Sequence, residues 1–242
     1  TTNSSLSWCE PGAGDSPAVE LMPIPQLTNP GEVRDAGLLP SSLYLPGATD
    51  FMKERGTRHD TGEVTRFLLE LGARPGGQWQ SGHMSPIDAN APEFETPQHE
   101  DGLGNTQSRY DYPKGITVNA LGLRFFDEGE AQHSYTYAKT GRAVLAQPGA
   151  IAFQIYDANG VKLFRYPEHA ASFEEADTIA ELAQKIGVEP RVLVDTVAKF
   201  NAACPSEPPF DPRKPDGRKT VGLEIPKSNW ARPLDTPPFR AL

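Results

Sequence analysis

Five histidines, His59, His83, His99, His133 and His169, are the side chains of this sequence best suited to move a proton near neutral pH. No two stand at the spacing a zinc site prefers, so each reads as a proton-transfer or ligand-binding group or as an ordinary surface residue. Cys9 and Cys204 are the only thiols, far apart and outside any metal-ligand spacing. A disulfide between them stays open, but two thiols in 242 residues favour a reducing compartment, hence the cytoplasm. A Gly-x-Ser-x-Gly elbow, a His-Glu-x-x-His metal site and a phosphate-binding lysine loop are all absent. Gly12-Ala13-Gly14 and Gly102-Leu103-Gly104 lack the strand and helix that would turn them into a dinucleotide cradle, and read as loop glycines.

Charge narrows the partners. Lys and Arg number 23 against 32 Asp and Glu, a formal net charge of -9 with no basic run of five, which argues against nucleic acid and for a small molecule or a protein. No stretch approaches the ~20 apolar residues of a membrane span. The sequence starts at Thr1, consistent with processing or trimming, and Asn3-Ser4-Ser5 is a lone sequon.

The elements that would position these residues begin after a proline-rich stretch. Residues 1–50 carry Pro11, Pro17, Pro23, Pro25, Pro30, Pro40 and Pro46, which break helix and sheet bonding and predict an irregular arm. The spacing of Val64, Phe67, Leu68 and Leu71 predicts a helix over 61–73, capped by Thr61, ended by Gly72 and in need of a partner surface. Ile116 and Val118, a turn over 119–122 and a return strand over 124–126 predict a hairpin. A helix over 134–147 stops at Pro148 and Gly149, and a strand follows over 150–156. Tyr135 and Tyr137 fall on different helix faces, which predicts that at least one enters the core. Thr178-Ile179-Ala180-Glu181 is a capping box opening a helix to Gly187, and Pro190 opens another that stripes Leu193, Val197, Phe200 and Cys204. Phe210, Leu223, Ile225 and Trp230 anchor the proline-rich tail. The fold class expected is α+β, a mixed sheet with helices.

Ordered motifs carry a resemblance. They are Arg55-Gly56-Thr57-Arg58-His59-Asp60-Thr61-Gly62, Ser81-Gly82-His83, Gly122-x-Arg124-Phe125-x-Asp127-Glu128, Tyr135-Thr136-Tyr137-Ala138-Lys139 and Gly141-Arg142-Ala143. Leu145-Ala146-Gln147-Pro148-Gly149, Phe210-Asp211-Pro212, Ile225-Pro226-Lys227-Ser228-Asn229-Trp230-Ala231 and Asp235-Thr236-Pro237-Pro238-Phe239 complete them. Together they resemble the capping region of the fumarate reductase and succinate dehydrogenase flavoprotein family, nearest its tricarballylate dehydrogenase-like members.

That resemblance implies an FAD-dependent oxidoreductase acting on small di- or tricarboxylates by hydride transfer at a carbon-carbon bond. It divides the chain into an arm at 1–50, the end of a flavin-domain segment at 51–82, a substrate cap at 83–238 and the start of a second flavin segment at 239–242. His83, Arg124 and Arg142 are the substrate-binding candidates, with fixed cations stabilising the charge that develops beside a carboxylate. Arg124 also reads as a structural partner of Asp127 or Glu128, and Arg142, one turn from Lys139, also reads as a solvent-facing residue. Thr61 and Gly62 match a flavin-contacting turn, although Glu63-Val64 replaces the family's Asp-Gly and Val64 crowds a close backbone approach. His133 stands where the family places its proton-transfer arginine; histidine donates a proton but offers no bidentate fork. The glycine-rich flavin cradle is missing, so the expectation is an incomplete enzyme, a separate flavin-domain chain as partner, or a non-catalytic module binding a carboxylate or a protein without flavin.

Overall fold

The computed structural model describes residues 6–8, 20–22, 51–53, 62–74, 83–93, 107–164 and 172–242. Its centre is a four-stranded sheet of β3 (Ile116–Asn119), β4 (Ala152–Tyr156), β5 (Glu174–Ala176) and β6 (Phe239–Ala241). The order is β3-β4-β6-β5, and every pairing is antiparallel, with Ile116 opposite Ile155, Ile155 opposite Ala241 and Ala176 opposite Phe239. The mixed sheet expected from the sequence is thus antiparallel throughout. Alternate residues share a face, so Ile116, Val118, Ile155, Phe239 and Ala241 form one apolar surface.

Helices α4 (Ile179–Lys185) and α5 (Pro190–Ala203) cover that surface with Leu182, Ala183, Leu193, Val197 and Phe200, all buried. Their junction forms as the sequence predicts. The Thr178 hydroxyl accepts from the Glu181 amide at 3.2 Å, and Gly187, at φ 72, turns the chain. The Val188 amide then donates to the Ala183 carbonyl and the Gly187 amide to that of Gln184, the paired bonds of a Schellman stop.

The hairpin expected at 116–126 does not form. Val118 makes only a single bridge to Arg124, and β3 takes its partner from β4 instead. Asn119 is the cause: its side-chain carbonyl accepts from the Leu121 and Leu123 amides at 3.0 and 3.1 Å, which tightens the turn. Arg124 then swings to Glu128, whose carboxylate takes its Nε at 2.9 Å and its Nη2 at 2.5 Å. Asp127 receives the Ser228 amide at 2.9 Å, and the buried Lys227 ammonium donates to the Pro113 carbonyl at 2.7 Å and to that of Gly115. These bonds clamp residues 225–231 beneath the sheet edge.

Residues 1–50 are described at β1 (Leu6–Trp8) and β2 (Glu20–Met22), which pair antiparallel, so the arm holds a short ribbon. Helix α1 (Glu63–Glu70) ends at Gly72 as expected, with the Ala73 amide on the Leu68 carbonyl. Its cap residue is Gly62 without a side-chain cap; Thr61 lies outside the described residues. Leu68, Leu69 and Leu71 are exposed. Helix α2 (His133–Leu145) starts one residue early and buries Thr136, Thr140 and Gly141, whereas Tyr135 is 83% exposed and Tyr137 half-buried, so neither tyrosine enters the core. No described helix is long and apolar enough to cross a membrane.

Candidate functional site

His133 is the first residue of α2, and Tyr137, four residues on, shares its face. Tyr110 leans against both. Its ring lies 5.2 Å from His133 with planes within 8° and 5.4 Å from Tyr137 at 58°. His83 completes the row, 5.0 Å from Tyr137 at 46°. Two histidines fifty positions apart in sequence are therefore joined by two tyrosine rings.

The surrounding chain explains the placement. Gly141 lets the backbone at Met84 and Ser85 settle onto α2, because a Cβ there would stand 2.7 Å from the Met84 carbonyl carbon and 2.9 Å from the Ser85 nitrogen. The Tyr110 hydroxyl donates to Ser85 Oγ at 3.1 Å, tying the two segments of the row together. Residues 86–88 and 107–109 run antiparallel, with the Asp88 amide on the Gln107 carbonyl and the Arg109 amide on that of Pro86. This register sets the buried Arg109 guanidinium on the Asp88 carboxylate. Beneath the row, the Tyr112 hydroxyl is 2.6 Å from Thr136 Oγ1, and burial raises its pKa.

Between α2, the polar face of the sheet and residues 83–90 lies a cavity of about 790 Å³. His83 lines it and is exposed, which puts it on the solvent side. Arg109, Asp88, Thr117 and Gln154 form polar wall, while Met52, Val144, Leu145, Ile151, Phe153 and Ile186 supply apolar wall.

Of the residues singled out from sequence, the structure brings His83 and His133 together. Arg124 does not line the cavity; its side chain is 6% exposed and engaged by Glu128, the structural role weighed for it. Arg142 is exposed on α2 and does not line the cavity either, and neighbouring Lys139 pairs with Glu130 at 2.5 Å. Gly62 sits at the head of α1 with φ 71. Sequence reasoning missed Tyr110, Arg109, Asp88 and Thr117. The dense polar and aromatic run Ser108-Arg109-Tyr110-Asp111-Tyr112 just before a strand was the available signal.

A dinucleotide needs free amides where a strand turns into a helix. Two such junctions are described, and both are closed by their own side chains. Asp157 caps the short α3 (Ala158–Val161), accepting from Gly160 at 2.8 Å, and pairs with Arg232 at 2.5 Å, and Thr178 caps α4. Burial opposes the Asp157 charge, but Arg232 and the amides outweigh it and hold the carboxyl below its usual range. The described residues do not fit a flavin dinucleotide by themselves. Among them there is also no group of three or more His, Cys, Asp or Glu placed to hold a metal ion.

No protein-family model matches the chain, and no curated protein matches it in sequence. Solved structures do. An open conformation of a flavocytochrome c3 fumarate reductase aligns with a TM-score of 0.56 and 19% identity over 84% of this chain and 31% of that one. The chain has the fold of part of that structure. The 3-ketosteroid delta1-dehydrogenase from Sterolibacterium denitrificans, in complex with 1,4-androstadiene-3,17-dione, gives 0.54 and 21%, covering 84% of this chain and 38% of that one. The 3-ketosteroid-delta4-(5alpha)-dehydrogenase from Rhodococcus jostii RHA1, in complex with 4-androstene-3,17-dione, gives 0.52 and 19%, covering 84% and 35%. The chain spans about a third of the length of these structures.

Proposed function

We propose that this chain is the substrate-capping part of an FAD-dependent dehydrogenase or reductase of the fumarate reductase type, acting on small di- or tricarboxylates. The observation that carries the reading is the aromatic row. It gathers His83 and His133, the two positions that the family resemblance assigns to substrate binding and proton transfer, on one surface of a chain that shares its fold with part of a fumarate reductase. In this arrangement His83 holds a substrate carboxylate and the His133 imidazole holds the proton to be delivered beside it. Tyr110 and Tyr137 fix the distance between them.

A flavin would be held by polypeptide other than the described residues, whose strand-to-helix junctions are already capped. The exposed leucines of α1 are the surface on which such a flavin-bearing segment or chain would dock. The same capped junctions favour a second reading, a cap-like module that binds a carboxylate or a partner protein without flavin.

Calorimetric titration with tricarballylate tests the shared step. Binding is expected, and His83→Ala weakens it about tenfold, as the loss of a charged hydrogen bond does. Heat unchanged by the substitution removes His83 from the site. Whether the purified protein is yellow then separates the two readings.

A further inference from the structure

The cavity is far larger than the ligand assigned to its rim. At about 790 Å³ it has the size of a site for a drug-sized molecule, several times what tricarballylate fills. Its long direction is given by residues 83–90, all of which line it. They start on α2, where His83 meets Tyr137, and end against the entry to β5, where the Asn90 side-chain amide donates to Ser172 Oγ at 2.5 Å. Fully extended, such a segment covers at most about 25 Å, and less here because the Ala91 amide turns back to the Asp88 carbonyl.

The end opposite His83 carries cations. Lys185, the last residue of α4, is exposed, lines the cavity and donates to the Glu175 carbonyl of β5 at 2.6 Å, which leaves donor capacity on its ammonium for a ligand. Lys53 lines the cavity too, held by the Ala89 carbonyl at 2.6 Å and by that of Ala91. Of the acids in the lining, Asp88 is taken by Arg109 and Glu174 is exposed, so cations outnumber acids there in a chain whose net charge is -9. Much of the remaining wall is hydrocarbon, from Met52, Val144, Leu145, Ile151, Phe153 and Ile186, none of them fully buried, so that each keeps surface to offer a ligand. An imidazole at one end, an ammonium at the other and hydrocarbon along the wall match an apolar chain with an anion at each end.

We propose that this cavity selects an extended α,ω-dicarboxylate, with one carboxylate on His83, the methylene chain along Met52, Val144, Leu145 and Phe153, and the second carboxylate on the Lys185 ammonium. The inference rests on the carboxylate contact read for His83 and narrows its substrate class to dicarboxylates with a long methylene chain.

Calorimetric titration of the full chain with succinate, adipate, suberate and sebacate, and with decanoate, is the test. Affinity is expected to rise along the series, up to about threefold for each methylene that becomes buried. Sebacate is expected to bind about threefold more tightly than decanoate, the worth of one exposed ion pair. Lys185→Met removes that advantage and Lys185→Arg keeps it, while tricarballylate, too short to reach, binds both variants as it binds wild type. Val144→Phe narrows the cavity and flattens the dependence on chain length. Should its circular dichroism show a folding defect, Ile151→Trp, at a position 42% exposed, is the second filling variant. Sebacate no tighter than adipate, sebacate equal to decanoate, a folded filling variant that keeps the chain-length dependence, full sebacate affinity in Lys185→Met, or an equal loss there for tricarballylate would overturn the proposal, and the His83 reading would stand wherever His83→Ala still weakens tricarballylate. If His83→Ala changes neither tricarballylate nor sebacate binding, that reading falls and the proposal with it.

Discussion

Tyr110 lies flat on His133, with ring centroids 5.2 Å apart and planes within 8°. An aromatic pair of this kind contributes about 0.5–1.5 kcal/mol beyond the area it buries. It also fixes the direction in which the imidazole presents its nitrogens, which the proton-donor role proposed for His133 requires.

Replacing Tyr110 by Leu should cost about 1 kcal/mol of stability and move the His133 ring-proton resonances downfield, because the shielding face is gone. Tyr110→Phe keeps the stack and loses the hydrogen bond to Ser85, so the His133 resonances should stay in place while those of His83 shift. Proton spectra of the three proteins read this directly; a His133 signal indifferent to Tyr110→Leu would refute the stack.

Arg124 and Glu128 form a buried pair, with side chains 6% and 0% exposed. Removing one partner leaves the other charged and unpaired, so Glu128→Ala should destabilise the fold by about 3–5 kcal/mol in urea unfolding. Arg124→Met should lower stability too, yet the protein that remains folded should bind tricarballylate as wild type does. Lost affinity in that folded fraction would restore Arg124 to the substrate contacts.

Gly141 is where α2 touches the Met84 backbone. Gly141→Ala forces that contact apart and should cost about 1–3 kcal/mol, as overpacking does. The His83 to Tyr137 contact should loosen with it, seen as lost cross-peaks between the two rings. An unperturbed His83 would show that the glycine does not set its position.

Burial pushes the Lys227 ammonium from 10.5 down to about 8. Between those values the unfolded chain holds a proton that the folded chain has released, so this residue makes stability rise with pH; below about 8 both states are protonated and the burial penalty stands in full. Cys204 acts the other way, since burial raises its thiol from 9.0 to about 11 and the unfolded chain loses that proton first. Tyr112 and Tyr156, also raised by burial, add to the fall above pH 10. The clean readout is a difference. Wild type minus Lys227→Met should gain stability from pH 8 to 10.5, and a flat difference would contradict the burial of this charge.

Local rules carried the helical elements. Thr178, Gly187 and Pro190 behave as a cap, a stop and a first-turn residue because each acts through bonds within its own few residues. The sheet was less legible. Ile116 and Val118 show the alternation of a strand but carry no label for their partner, and Asn119 and Arg124 diverted the nearest candidate. The candidate site was half legible: the two histidines could be picked by type, whereas Tyr110 and the pair of Asp88 with Arg109 depend on segments about twenty positions apart meeting in space. Lys227 was hidden for a related reason. A lysine after Ile225 and Pro226 reads as solvent-facing, and only the carbonyls of Pro113 and Gly115, more than a hundred positions away, draw it inside.

Strand β6 enters the sheet between β4 and β5, which are made about 85 and about 65 residues earlier. On the ribosome β5 therefore has no neighbour in the sheet until residue 241 has been added, and the edge of β4 waits with it. A nascent chain at that stage offers two open strand edges to whatever else is close by. Slow synthesis over the proline-rich stretch before residue 239 would prolong the exposure, which makes chaperone contact at this point of translation the cost of threading β6 through the middle.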